Sequence, residues 1–400
     1  MKKPEWVVLA VALLALVAKL VCASTTSGTL DVVCFREFGR IIAAEGMIAL
    51  YRKVPIFNHT PLLGTITAAF FDATKGDDRA FRLLLRIPGI LADFASVLAL
   101  LWLRRKTGRP GWWGLGLFAA SPVAFMVSGF HGNFDSLVAL GLLLAALACF
   151  SGDARLCGLC WGLACQVKII PLLMAPVFFF FWWHRGQARR FFVVGVLTVL
   201  IGWVWPLCII PGVFMHRVLD YNSMWGTWGI SLFLRLSGLS GFEGLRPGPA
   251  GAWVSEMLKV IVVGGVCAIA WRRRAGEPVS VFTTLSLCWL VFFVFAPGFG
   301  APYLLWLAPF ALLHSERLFA FLTAASSVAL FGFYTVVCGG LPWDKAYARI
   351  NTTPDWVPWL IPAWLAVTAS LIALRRDCAP KAESPAAESD ACVLGTLAST

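Results

Sequence analysis

The sequence predicts an all-α, polytopic membrane protein with about 12 transmembrane helices and both ends on the cytoplasmic side. Three observations lead there. Hydrophobic residues make up 59% of the 400 and charged residues only 14%, against about 25% charged in a soluble domain. Mean hydropathy is +0.80, and the apolar runs at 6–23 and 191–205 are continuous rather than alternating. That selects helices over barrel strands, the other structure that satisfies its backbone in lipid. Finally, basic residues gather in short loops: Lys2-Lys3, Arg104-Arg105-Lys106 with Arg109, Arg185 with Arg189-Arg190, Arg272-Arg273-Arg274 and Arg375-Arg376. This is the positive-inside pattern. The net charge of +12 is therefore a topology signal, and a nucleic-acid partner is excluded.

The elements follow in order. Helix 1 (5–23) starts behind Lys2-Lys3 and reads as a retained span, since its run is longer than a signal-peptide core and lacks a clean cleavage site. A long extracytoplasmic segment, 24–80, follows. Helix 2 (82–103) returns to the first basic loop, and helices 3 (112–129) and 4 (136–150) form a hairpin about His131–Asp135. Residues 156–183 make a second hairpin, broken at Lys168 and Pro171. Helix 7 (191–211) leads into another extracytoplasmic stretch, 212–252. Helices 8 (253–271), 9 (279–296), 10 (301–314), 11 (317–337) and 12 (357–374) complete the set, with a tip at Pro297–Pro302. With this count every strong basic cluster falls on one side. The membrane domain spans 1–376, and an Ala/Ser/Glu-rich disordered cytoplasmic tail fills 377–400. Amphipathic helices are expected in the first and fourth extracytoplasmic loops. In the first, Phe38, Ile41, Ile42, Ile48 and Leu50 mark a helix lying on the membrane surface. No internal repeat is visible.

Polar residues collect opposite the basic loops. Asp31 sits just after helix 1, suited to N-capping the surface helix or to chemistry. Asn58-His59-Thr60-Pro61 opens the next helix, either as a cap or as part of a site. Arg86 and Asp93 are seven apart in helix 2 and share one face: a mutual pair, or an arginine lining an anion site. Lys168 lies at a helix break, where a cation suits a phosphate, though snorkelling would also explain it. His131-x-Asn133-x-Asp135 closes a hairpin. Asp220-Tyr221, with Trp225 and Trp228, and Tyr303 beside Pro297-Gly298-Phe299-Gly300 add further polar or aromatic loops, as interfacial anchors or a sugar platform. The trio at 131–135 alone is too small for a metal site. Cys157-x-x-Cys160 has no second pair and reads as helix packing. Asn351-Thr352-Thr353 fits a glycosylation sequon.

Three stretches resemble the GT-C glycosyltransferases, polytopic enzymes that take sugars from polyprenyl-phosphate carriers. They are TLDV…LYRKVPIFNHTPL after helix 1, SPVAFMVSGFHGNFDSLVALGLLLAA with GLACQVKIIPLLMAP downstream, and FAPGFGAPYLLWLAPF. The "HGxxDS" turn with its "KxxP" segment is the most specific, and is similar to bacterial membrane sugar transferases and to the mannosyltransferases of glycolipid-anchor assembly. The resemblance covers about 5–375 and implies inverting transfer of mannose or another hexose to a lipid, glycan or protein acceptor at the extracytoplasmic face. It implies Asp31 as general base, with Lys168, Arg86 and Arg36 holding the donor phosphate. Asn58, His59, His131, Asn133, Asp135, Asp220, Tyr221 and Tyr303 would hold sugar or acceptor. Many relatives carry two acids where Asp31 is followed by Val-Val-Cys, so no metal ligand is assigned, although a divalent cation would be compatible. The membrane is the bacterial inner membrane, or the endoplasmic reticulum in a eukaryote. The alternative is a secondary transporter or flippase for a sugar or lipid-linked sugar.

Overall fold

The computed structural model describes residues 3–219, 223–341, 343 and 355–375. Asp220, Tyr221, the sequon at 351–353 and the tail at 377–400 lie outside the described residues. Among those described the chain is helical, with one isolated bridge, Trp225 to Gly298, and no strand.

The first span is α1 (Lys3–Thr25), followed by three loop helices: α2 (Leu30–Glu45), α3 (Met47–Lys53) and α4 (Pro61–Ala73). Helix α5 (Asp78–Thr107) is the longest, 30 residues or about 45 Å. It runs from the loop helices to the basic loop at Arg104–Lys106, so the two lie at opposite ends of the bundle. Next come α6 (Trp112–Ala119) and the short α7 (Pro122–Ala124), extended by a π-helical turn, Phe125–His131. Helices α8 (Asp135–Phe150) and α9 (Ala154–Val167) form one hairpin. A 3-10 turn (Ile170–Met174) joins α9 to α10 (Ala175–His184), leaving Lys168 extended at the break. Then come α11 (Ala188–Ile209), α12 (Pro211–Phe214), α13 (Gly229–Leu236), α14 (Pro249–Arg272), α15 (Ser280–Phe295), α16 (Ala308–His314), α17 (Glu316–Val337) and α18 (Ile361–Leu374).

Among the described residues, seven apolar helical stretches are long enough to cross a membrane, and six shorter apolar ones accompany them. Every predicted span is helical in the structure. The extra short stretch is α4, in the first loop. Two kinds of apolar helix separate by burial. Helix α15 is apolar all round and enclosed by the bundle, with Leu287 and Trp289 inaccessible, and α8 is mostly buried, with Leu142, Leu143 and Ala145 inaccessible and Leu144 open. Helices α1, α11 and α14 keep bare apolar faces, such as Leu14, Ile201 and Val260, as a lipid solvent permits.

Small residues and buried amides bring the helices together. Gly158 and Gly162 sit one turn apart on α9 against α11, where a Cβ on Gly158 would stand 2.4 Å from the Phe191 carbonyl. The Gln166 amide donates to the Thr198 and Val199 carbonyls at 2.8 Å. Both are routes to close packing without a hydrophobic driving force. At the end holding the basic loops, the Arg105 guanidinium meets Glu5 at 3.3 Å, and Arg185 donates to the Arg274 and Gly276 carbonyls.

The first loop departs from the expected surface helix. Phe35, Phe38 and Ile41 of α2 are buried, as are Met47 and Leu50 of α3. Helix α4 packs across α2, so that a Cβ on Gly39 would meet the Thr67 carbonyl at 2.7 Å. The apolar face is therefore covered by protein. A one-sided pattern does not say which apolar surface will cover it.

Candidate active site

Helix α2 begins one residue before Asp31. Thr29 occupies the N-cap but makes no side-chain cap. Its hydroxyl instead donates to the His131 carbonyl at 2.9 Å, fastening the start of α2 to the turn between the π-helical segment and α8. Asp31, in the first turn of α2, thus faces that turn. His131 Nε2 lies 3.0 Å from Asp31 Oδ2, and the Asn133 amide donates to the same oxygen at 2.9 Å. Gly132 makes this possible: its φ is 83°, and a Cβ there would stand 2.4 Å from Val32 Cγ2. Asn133 is held by its own oxygen, which accepts from the Phe134 amide at 2.7 Å.

The other ring nitrogen of His131 is 2.9 Å from the buried Tyr334 hydroxyl on α17. In a neutral ring, the nitrogen facing a carboxylate carries the proton, because a carboxylate only accepts. Tyr334 then donates to Nδ1 and fixes that tautomer. Sequence reasoning did not find Tyr334.

Asp135 starts α8 and is inaccessible. Lys168 Nζ sits 2.9 and 3.0 Å from its two oxygens and is 12% exposed. The ammonium also lies 5.1 Å from the Tyr303 ring and 5.7 Å from that of Trp306, two rings stacked at 4.1 Å, within cation–π range. His59 closes another side, packed on Phe35 at 5.0 Å. Asn58 is half-buried next to it. Their turn is held by Tyr51, which donates to the His59 carbonyl at 2.7 Å, and by Thr60, which donates to the Gln166 carbonyl.

Electrostatics follow from this enclosure. Burial pulls the Asp31 carboxyl upward, but His131 against it and Lys168 beyond hold it down, at about 2. It is ionised at neutral pH, and 42% of the side chain is open, so one face of the carboxylate is available to a bound molecule. Burial, reinforced by Lys168, pushes His59 down to about 3, leaving it neutral.

The structure thus gathers Asp31, His59, His131, Asn133, Asp135, Lys168 and Tyr303 from five separate stretches. Two other predicted cations are bonded to backbone carbonyls, Arg86 beside Gly132 of the same turn. Arg86 is fully buried and donates to the Ala23 and Thr26 carbonyls at 2.9 and 3.2 Å, serving the open C-terminal end of α1. Arg36 donates to the Gly76 carbonyl at 2.5 Å and lies 3.9 Å from Asp78. Nor do Arg86 and Asp93 pair: Asp93 accepts from Lys19 at 2.6 Å and from Ser128 at 2.5 Å. Among the described residues no three His, Cys, Asp or Glu side chains converge as metal ligands, and the carboxylates of Asp31 and Asp135 are already bonded to side chains.

An ionised, half-open carboxylate beside an anchored ammonium, at one end of an apolar bundle, suits group transfer between membrane-bound molecules. No curated protein matches the chain. The family model of glycosyltransferase family 87 matches residues 83–297, a stretch that takes in His131, Asn133, Asp135 and Lys168 and ends before Tyr303. As the match covers more than half of the 400 residues, the chain belongs to glycosyltransferase family 87, a membrane family of the GT-C type.

Proposed function

We propose that this glycosyltransferase moves a hexose, mannose being the first candidate, from a polyprenyl phosphate to a lipid, glycan or protein acceptor, with inversion. The acceptor oxygen bonds to the anomeric carbon as the bond from that carbon to the phosphate oxygen breaks. The hydroxyl proton passes to Asp31, and the lipid phosphate leaves with the electron pair. A carboxylate with a pKa near 2 is a weak base, so its contribution rests on position and on a late proton transfer. Lys168 has three N–H donors. Asp135 anchors the ammonium while leaving donor capacity for the leaving phosphate, whose charge grows in the transition state. Neutral His59 suits a hydroxyl, as does Asn133. The basic loops at the other end of the bundle favour an extracytoplasmic site by the positive-inside rule.

The observation that carries this reading is the convergence of Asp31 and Lys168 on one turn, His131–Asp135, at the loop-rich end of a membrane bundle. The test is Asp31→Asn in purified protein supplied with polyprenyl-phosphate mannose. Turnover is expected to fall about 10²–10⁴-fold with thermal unfolding unchanged. Wild-type turnover in a folded mutant removes Asp31 as the base. Sugar uptake into proteoliposomes with no glycosidic bond formed replaces the enzyme with a transporter.

A further inference from the structure

A concavity lies against Pro297, at the start of the hairpin that carries Tyr303. It is a cavity of about 80 Å³, lined by Ser223, Trp225, Ala252, Ser255, Glu256 and Pro297. At 10–15 Å³ per water position, it has room for about 5–8 waters, the scale of one monosaccharide. Its lining joins an aromatic ring and proline to two hydroxyls and a carboxylate. A neutral sugar needs such a pairing, since its C–H face packs on an aromatic surface and its hydroxyls seek acceptors and donors. The platform is preformed. Trp225 is 3% exposed, bridges to Gly298, and donates weakly to the Phe242 carbonyl, so it serves as a fixed wall of the cavity with little of its ring open. Glu256 is exposed and held by Lys259 at 2.7 Å, so its second oxygen remains open to a ligand.

The cavity connects to the site through one hairpin. Pro297 lines it, Gly298 pairs with Trp225, and Phe299 stacks on Trp228 at 3.9 Å. Tyr303, 5.7 Å from Phe299, carries the ring beside Lys168.

We propose that this cavity is a subsite for a neutral hexose unit of the acceptor, held by Glu256 against the wall that Trp225 and Pro297 form, while another part of the acceptor reaches Asp31. The proposal rests on the glycosyltransferase reading above for the word acceptor, but sugar binding can be measured without transfer. Full-length protein in nanodiscs would be titrated with the methyl glycosides of mannose, glucose and galactose, followed by saturation-transfer NMR. Wild type and Asp31→Asn are expected to bind at least one glycoside saturably. Glu256→Ala, at an exposed helical position that tolerates alanine, should weaken binding about five- to tenfold, the scale of one lost hydrogen bond at an exposed site. Ala252→Phe, also at an exposed position, should fill the cavity and abolish binding. Absence of saturable binding by all three glycosides overturns the subsite, as does binding that both variants leave intact. A wild type that binds but never transfers sugar supports the cavity and removes the enzymatic reading instead.

Discussion

The Asp135–Lys168 pair permits a direct separation of stability from catalysis. Asp135 is inaccessible, and Lys168 is 12% exposed. Lys168→Met strands a buried carboxylate. Breaking a buried pair costs about 3–5 kcal/mol, and the N-terminus of α8, where Asp135 sits in the first turn, returns about 0.3–1 kcal/mol. The expected loss is about 2–4 kcal/mol. Asp135→Asn strands the ammonium instead, but the Tyr303 and Trp306 rings and the partial exposure of Lys168 soften the loss to about 2 kcal/mol. The double variant Asp135→Asn/Lys168→Met leaves a neutral pair of similar volume and should lie within about 1 kcal/mol of wild type. The coupling energy is thus at least about 3 kcal/mol, readable by unfolding in mixed micelles with increasing SDS. Turnover should not follow. Without the ammonium the leaving phosphate loses its counter-charge, and kcat stays down about 10²–10³-fold in the double variant as in Lys168→Met. A stable double variant with wild-type kcat would refute the catalytic role of Lys168. A double variant as unstable as the sum of the single ones would refute the coupling.

Three further outcomes are expected. Tyr334→Phe removes the hydroxyl that orients His131. It should lower kcat about tenfold, one lost hydrogen bond, with donor KM within about twofold and an altered pH–rate profile, checked by steady-state kinetics. Gly132→Ala places a Cβ in the left-handed region at a cost of about 1–2 kcal/mol and also against Val32. Adding Val32→Ala should recover the contact but not the backbone strain, as measured by the same SDS unfolding. His59 is held at about 3 in the fold, against an ordinary value of 6.5. Between those values the unfolded chain binds the extra proton, so stability falls as pH drops below 6.5. His59→Gln should flatten the fall in melting temperature between pH 6.5 and pH 4, where Asp31 remains ionised.

The features that sequence made legible are local. Continuous apolar runs located all seven long apolar helices among the described residues, and Pro and Gly located the breaks at Lys168 and Pro297. His131, Asn133 and Asp135 were visible together because they share one turn. Tyr334 was not, because it stands within an apolar run and its partner lies 203 residues away. Arg86 and Asp93 share a helical face, but the sequence does not say which neighbours meet that face. The partners proved to be the end of α1 and Lys19. The surface helix was misjudged for a similar reason, since lipid and α4 present α2 with the same apolar demand.

The Lys19–Asp93 pair bears on how the protein is assembled. Lys19 lies six residues from the end of α1, about 9 Å along its axis, and each charge alone costs about 2.5–3.5 kcal/mol at mid-bilayer. Its partner is synthesised 74 residues later, after the whole first loop. Left unpaired, either charge would carry that cost, so the pair ties α1 to α5 across the first loop, which carries Asp31.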